Sequence, residues 1–260
     1  MKKLKEERLG EISISNEGYK MKIVEYNGKD DIIVEFQDKY KTKVKAEYGQ
    51  FKKGRVKNPY HKSVYGVGYI GEGKYKVSEN GRQTKAYKTW NHMLMRCYDP
   101  YYLNKKPTYR DCIVCNEWHC FQNFAKWYEE NIYNCNNEKM NLDKDILYRG
   151  NKIYSPETCC IIPQRINSLF VKCDASRGKY PIGVYWNKKD NKFRAQCQVL
   201  DKNGKSKQEY LGYYDNKYEA FQVYKKFKES YIKQVADEYR NIIPIELYEA
   251  LYNYEVEIND

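Results

Sequence analysis

The sequence predicts an α+β protein. A β-rich N-terminal module should lead into a helical middle domain holding a ββα metal finger, and a C-terminal three-stranded antiparallel sheet plus helix should close the fold. Three observations predict it. An Asn-Gly turn sits between two β-branched runs near the start. In the middle, helix-phased apolar stretches precede two short strands joined by a Gly/Asn/Pro turn. Near the end, turn clusters separate alternating runs, and a stretch in near-3.6 phase follows.

The β-rich module is expected over residues 1–76. Residues 19–26 (YKMKIVEY) alternate in part, and residues 31–36 (DIIVEF) follow the turn Asn27-Gly28-Lys29-Asp30. That turn chemistry between such runs is a strong hairpin signal. Residues 39–48 offer a third strand, so a small curled sheet or barrel should result. It suits a docking or nucleic-acid module and a purely structural domain equally. Residues 58–76, rich in Gly, Tyr and Pro, read as a connector or irregular hairpin.

The middle domain is expected over residues 84–170. Tyr87, Trp90, Met93, Leu94 and Cys97 keep helical rhythm, and Asp99-Pro100 ends it. Trp118, Phe121, Phe124, Ala125 and Tyr128 mark the core face of a second helix. Residues 140–170 (MNLDKDILYRGNKIYSPETCCIIPQRINSLF) then read as strand, irregular turn, strand and helix start.

The final section, residues 178–235, reads as three strands and a helix. Its turns are Lys189-Asp190-Asn191 and Asp201-Lys202-Asn203-Gly204, and Asp215-Asn216 stands where a helix N-cap belongs. Tyr218, Phe221, Tyr224, Phe227 and Lys228 follow in near-helical phase. Residues 236–260 read as an acidic tail that either packs on the basic surface or stays mobile.

Composition narrows the partners. Lys and Arg number 47 against 35 Asp and Glu, a net charge of +12, which favours a polyanion, most simply nucleic acid. A lysine-rich coding bias is the plainer alternative. The 29 Tyr supply flat amphipathic area that can stack on bases, although AT-rich codons would produce the same excess. Nine scattered Cys, a charged start (MKKLKEERLGEIS) and no run of ~18 apolar residues point to a reduced intracellular protein without a membrane span.

A ββα finger needs an acidic group at the end of its first strand and an Asn or His on its helix to hold one divalent cation. Oxygen ligands favour Mg²⁺ or Mn²⁺, which stabilise charge developing on a scissile phosphate. A neighbouring histidine normally deprotonates the attacking water. The runs TWNHMLMRCYDP, DCIVCNEWHCFQNFAKWY and LDKDILYRGNKIYSPETCCIIPQRIN resemble phage HNH-type endonucleases, the homing-type branch of the His-Me finger superfamily, over about residues 86–170. The resemblance implies that Asp143 is the metal-binding acid and Asn167 the second ligand. Asn151 would brace the loop, Asp145 would be an extra or substitute ligand, and Glu157 would cap or brace the turn. Lys144 stands where better-conforming members carry the base histidine. A lysine is a poor base unless buried beside other cations, so Lys144 could grip the phosphate instead. His92, His119 and His61 do not repair the motif by sequence, though His119 could fold toward the finger. The resemblance also implies the cytoplasm of a bacterial host. Cys112-x-x-Cys115, with Cys97 and Cys159 or Cys160, offers a set for structural Zn²⁺; small buried thiols are the alternative.

Gly183-Val184-Tyr185-Trp186, Lys192-Phe193-Arg194-Ala195-Gln196, Leu211-Gly212-Tyr213-Tyr214-Asp215, Glu219-Ala220 and Tyr224 resemble the APETALA/ethylene-response-factor DNA-binding domain. The resemblance implies a sheet laid in the major groove of duplex DNA with a helix behind it. By alternation, Lys192, Arg194, Gln196 and Gln198 share one face, opposite Phe193, Ala195, Cys197 and Val199. Trp186 and Lys188 are expected to continue the polar face. The reading is therefore a metal-dependent DNA endonuclease. Its rival is a degenerate finger that binds DNA or a host protein without cutting, as a regulator or an inhibitor of a host defence nuclease. RNA binding through the basic aromatic surfaces is a third expectation.

Overall fold

The computed structural model describes residues 6–170, 179–201, 205–258 and 260. The fold is mixed α+β and divides into two compact units, Met1–Trp127 and Tyr128–Asp260. The division falls inside the segment expected as one finger domain. The first aromatic helix lies in the first unit, and the finger itself shares the second unit with the C-terminal sheet.

In the first unit, strands β1 (Ile12–Ile14), β2 (Lys20–Gly28), β3 (Asp31–Phe36) and β4 (Lys43–Ala46) form an antiparallel sheet in chain order. Irregularities between Ile23 and Glu25 and between Tyr26 and Gly28 explain why β2 alternates only in part. The extra residue lets Met21, Ile23 and Tyr26 all reach the core. They pack with Ile32, Val34 and Phe36 of β3, Phe51 of the short helix α1 (Tyr48–Lys52), and Val56. The edge strand β1 is short and mostly exposed, so it carried no core pattern to be read.

A two-strand ribbon, β5 (Ser78–Glu79) and β6 (Arg82–Gln83), precedes helix α2 (Lys85–Tyr98). Thr84 caps α2 by accepting from the Tyr87 N–H at 3.2 Å. Trp90, Met93, Leu94 and Cys97 are buried as the spacing predicts, and Trp90 Nε1 donates to the Trp118 carbonyl at 2.7 Å. Asp99 then caps the next helix, α3 (Pro100–Lys105). The connector crosses this layer at Gly68, where a Cβ would meet Leu94 Cδ1 at 2.4 Å. Helix α4 (Phe121–Asn131) carries the division between the units.

In the second unit, β7 (Met140–Asp143) pairs antiparallel with β8 (Cys160–Pro163), and helix α5 (Gln164–Leu169) follows without a break. Strands β9 (Val184–Asn187), β10 (Lys192–Leu200) and β11 (Ser206–Tyr214) form the three-stranded antiparallel sheet. Helix α6 (Lys217–Tyr239) backs it, capped by Asn216, whose Oδ1 accepts from the Tyr218 N–H at 2.8 Å. Residues 202–204 of the second expected turn lie outside the described residues.

The segment expected as an acidic tail, packed or mobile, is folded. Helix α6 runs on to Tyr239, helix α7 (Ile245–Tyr252) follows, and Leu247, Leu251 and Val256 are buried. Their apolar spacing overrides the acidic composition. One core joins Ile162, Ile166 and Leu169 of the finger to Val184, Ala195 and Cys197 of the sheet and to the inner face of α6.

Because that core is shared, Ile166→Ala should lower the stability of the whole unit by about 2–5 kcal/mol. Native-state hydrogen exchange checks it: amide protection should fall together in β7 and in β10. Loss confined to β7, β8 and α5 would mean the finger unfolds by itself.

Candidate functional site

The finger is built from the end of β7. Asp143 stands opposite Cys160 in the ladder, and its Oδ1 accepts from the backbone N–H groups of Asp145 (3.0 Å) and Ile146 (2.8 Å). The carboxylate therefore turns the chain out of the strand with one oxygen. Its other oxygen makes no hydrogen bond among the described residues. Burial, and then the neighbouring charge of Asp145, push the Asp143 carboxyl above the usual aspartate range, against the two N–H donors and Lys144.

Lys144 is buried. Its Nζ donates to the Asn151 carbonyl oxygen at 3.0 Å and pairs with Asp145 Oδ2 at 3.2 Å. Asn151 answers from across the loop: its Nδ2 donates to the Lys144 carbonyl at 2.6 Å and to the Ile153 carbonyl at 2.7 Å, while its Oδ1 accepts from the Ile153 N–H at 3.1 Å. Lys144 thus holds the loop together with its amine turned inward. Gly150, at φ +79°, supplies the left-handed turn before Asn151.

The far limb of the loop closes on Ser155. Ser155 Oγ lies 3.1 Å from Thr158 Oγ1, which donates to the Ile153 carbonyl at 2.8 Å. Glu157 is exposed beside it, and its hydrogen bond to Ser155 lowers its pKa. Asn167 lies on α5, which packs on both finger strands, and its side chain is half-buried with no hydrogen-bond partner among the described residues. Arg165, one helical step away, is buried and pairs with Glu238 of α6 at 2.6 Å.

Of the histidines, His119 lies 3.5 Å from the Tyr98 hydroxyl, and burial lowers its pKa. His61 accepts from or donates to Tyr19, and His92 is exposed. All three lie in the first unit. Among the described residues no group of three or more His, Cys, Asp or Glu is placed to hold a metal ion; Cys97, Cys112 and Cys159 are buried and Cys115 is half-buried.

The sheet offers a second surface. Lys192, Arg194, Gln196 and Gln198 share a side of β10 as alternation predicts. The register corrects the first strand: Tyr185 stands opposite Arg194, whereas Trp186 stands opposite Phe193 and packs on its ring at 4.8 Å. Trp186 therefore lies on the apolar side, because directly paired residues share a face. Lys188 sits in the turn beyond the strand and is exposed. A bulge between Ala195 and Gln196 leaves Leu211 unpaired and sets Tyr213 opposite Arg194 and Tyr210 opposite Gln196. Without it, Leu211 would take the place of Tyr210. The result is two exposed tyrosines on the polar face, with the Arg194 guanidinium 5.3 Å from the Tyr210 ring centre. Sequence alternation alone missed Tyr185, Tyr210 and Tyr213; Gly212 at φ +124° was the only local hint of the bulge. Lys192 also reaches Asp215 at 3.4 Å.

No protein-family model, curated protein or solved structure matches the chain. Among the described residues, no helix is long and apolar enough to cross a membrane.

Asn151→Ala should remove three hydrogen bonds and leave the Lys144 carbonyl unsatisfied, destabilising the loop by about 1–3 kcal/mol. Limited proteolysis between residues 144 and 159 should speed up, while the thermal transition of the sheet stays in place. Unchanged cleavage would mean the lattice around Asn151 does not hold the loop.

Proposed function

We propose that this chain is a metal-dependent DNA endonuclease of the HNH homing type, with the three-stranded sheet as its duplex-binding surface. The observation that carries the reading is Asp143. One of its oxygens is spent on the turn, the other is left without a hydrogen bond, and burial disfavours its charged form. A carboxylate in that condition gains from a cation beside it. Asn167 would add a second oxygen ligand, a hard set that fits Mg²⁺ or Mn²⁺. Such an ion would supply charge neutralisation at the scissile phosphate and the leaving 3′ oxygen.

The chain's own groups take the remaining roles. Asp143 and Asn167 orient the centre, and the Asn151 lattice fixes the strand end. Lys144 is not the base in this reading, because its amine is committed to Asn151 and Asp145. Asp145, exposed in the same turn, is the group offered to accept the proton of the attacking water. Across the sheet, Arg194, Gln196, Gln198 and Lys192 would contact base edges and phosphates, with Tyr185, Tyr210 and Tyr213 against the sugar-phosphate backbone. The +12 charge supports a nucleic-acid partner.

The burial of Lys144 favours a second reading, a phage-type factor that binds DNA or a host protein and does not cut. Supercoiled-plasmid conversion with Mg²⁺ or Mn²⁺ separates the two. Wild type should nick, and Asp143→Ala should not, while both retain a gel shift with duplex DNA. No conversion by wild type with the shift intact would sink the nuclease reading and leave the binding one. In fluorescence anisotropy at fixed salt, Arg194→Ala should weaken duplex binding by about 1–3 kcal/mol. Unchanged affinity would remove the sheet as the reading surface.

A further inference from the structure

Beside the sheet lies a cavity of about 330 Å³, lined from the sheet by Tyr185, Gln196 and Gln198 of the polar face and from α6 by Lys228 and two tyrosines. Its origin is in the strand pairing. Strand β9 covers β10 only as far as Ala195, with one more bond from the Gln196 N–H to the Gly183 carbonyl at 2.9 Å. Farther along, the Leu200 N–H and carbonyl are both satisfied by the Tyr231 hydroxyl, at 2.7 and 2.9 Å. Between these two points the edge of β10 at Gln198 opens onto the cavity.

Two polar groups there have no hydrogen-bond partner among the described residues. Lys228 of α6 makes no hydrogen bond or ion pair among the described residues. It sits in the core stripe of the helix, four residues after Tyr224 and three before Tyr231, with Nζ 5.9 Å from the Tyr231 ring centre. Burial pulls its ammonium below the usual lysine range. Gln196 Oε1 is buried and accepts no hydrogen bond among the described residues. The carboxylate of Asp260 also lines the space, where it accepts from Arg149, the Tyr254 hydroxyl and the Glu257 N–H.

A half-buried ammonium without a counter-ion and a buried acceptor without a donor both gain from a partner, and one ligand can supply both. Tyrosine rings supply flat walls, and the Gln198 amide supplies a further donor and acceptor. We propose that this cavity binds a nucleoside monophosphate unit, its phosphate on Lys228 and a base N–H on Gln196 Oε1. The volume is at the lower end of small-ligand sites. The unit could be a free nucleotide or one nucleotide of a bound strand, since both present the same groups. The inference stands whether or not the finger cuts.

Calorimetric titration of the full chain with 5′-AMP, 5′-GMP, 5′-CMP and 5′-UMP, and with inorganic phosphate, tests it. At least one nucleotide should bind saturably at one site, at least tenfold tighter than phosphate and at least tenfold tighter than to Lys228→Met. If Lys228→Met fails to fold, Gln196→Leu, which deletes an unpaired acceptor, should weaken binding at least fivefold with the melting temperature retained. No binding by any nucleotide, equal binding by phosphate, or undiminished binding by a folded variant would overturn the proposal. Repeating the titration with single-stranded and duplex DNA present identifies the source. Displacement by DNA assigns the site to a strand nucleotide, and simultaneous binding assigns it to a free one.

Discussion

The core between the finger and the sheet is the constraint on which the second unit depends. Ile162, Ile166 and Leu169 have no separate interior of their own; they share one with Ala195, Cys197 and the inner face of α6. Arg165 adds a fixed contact from α5 to Glu238 on the same helix. A finger of two short strands and a six-residue helix could not bury enough surface to stand alone. Its attachment to α6 therefore does two jobs: it stabilises the finger and fixes the spacing between Asp143 and the polar face of β10. Closely packed interiors do not stretch, so a strand gripped by the sheet would meet the finger at one distance.

Within that frame, the loop of the finger resolves a local conflict. A lysine in a position that faces inward must find partners for its ammonium. Lys144 finds them in the Asn151 carbonyl and the Asp145 carboxylate, and Asn151 returns the contact through the Lys144 carbonyl. These reciprocal contacts tie the two limbs of the loop together. In the reading we propose, the oxygens at Asp143 would keep their geometry while a group other than Lys144 takes the proton.

Much of this was legible in the sequence. The Asn27-Gly28 hairpin, the buried stripe of α2 and the Asn216 cap are local signals, and local chemistry decides them. The three strands of the C-terminal sheet and the apolar side of β10 followed from alternation. What alternation could not reveal were the places where it breaks. The bulge at Leu211 moved Tyr210 onto the polar face, and the register moved Trp186 off it. The tail misled for a different reason: its acidic composition concealed Leu247, Leu251 and Val256, whose burial depends on α6 extending beneath them. Lys228 was visible as a lysine in a core-phased stripe, but only the incomplete cover of β10 shows that it faces a cavity. Asn167 sits where the helix start of the finger predicts, and its unpaired amide needed coordinates to see.

Most of the proposed chemistry rests on Asp143 and Asn167 together holding a divalent cation. Anomalous diffraction from crystals grown with Mn²⁺ tests it most directly. A peak is expected within coordination distance of the second Asp143 oxygen and the Asn167 side-chain oxygen, absent in Asp143→Ala. A well-ordered finger with no peak there at millimolar Mn²⁺, or a peak that persists in Asp143→Ala, would contradict it.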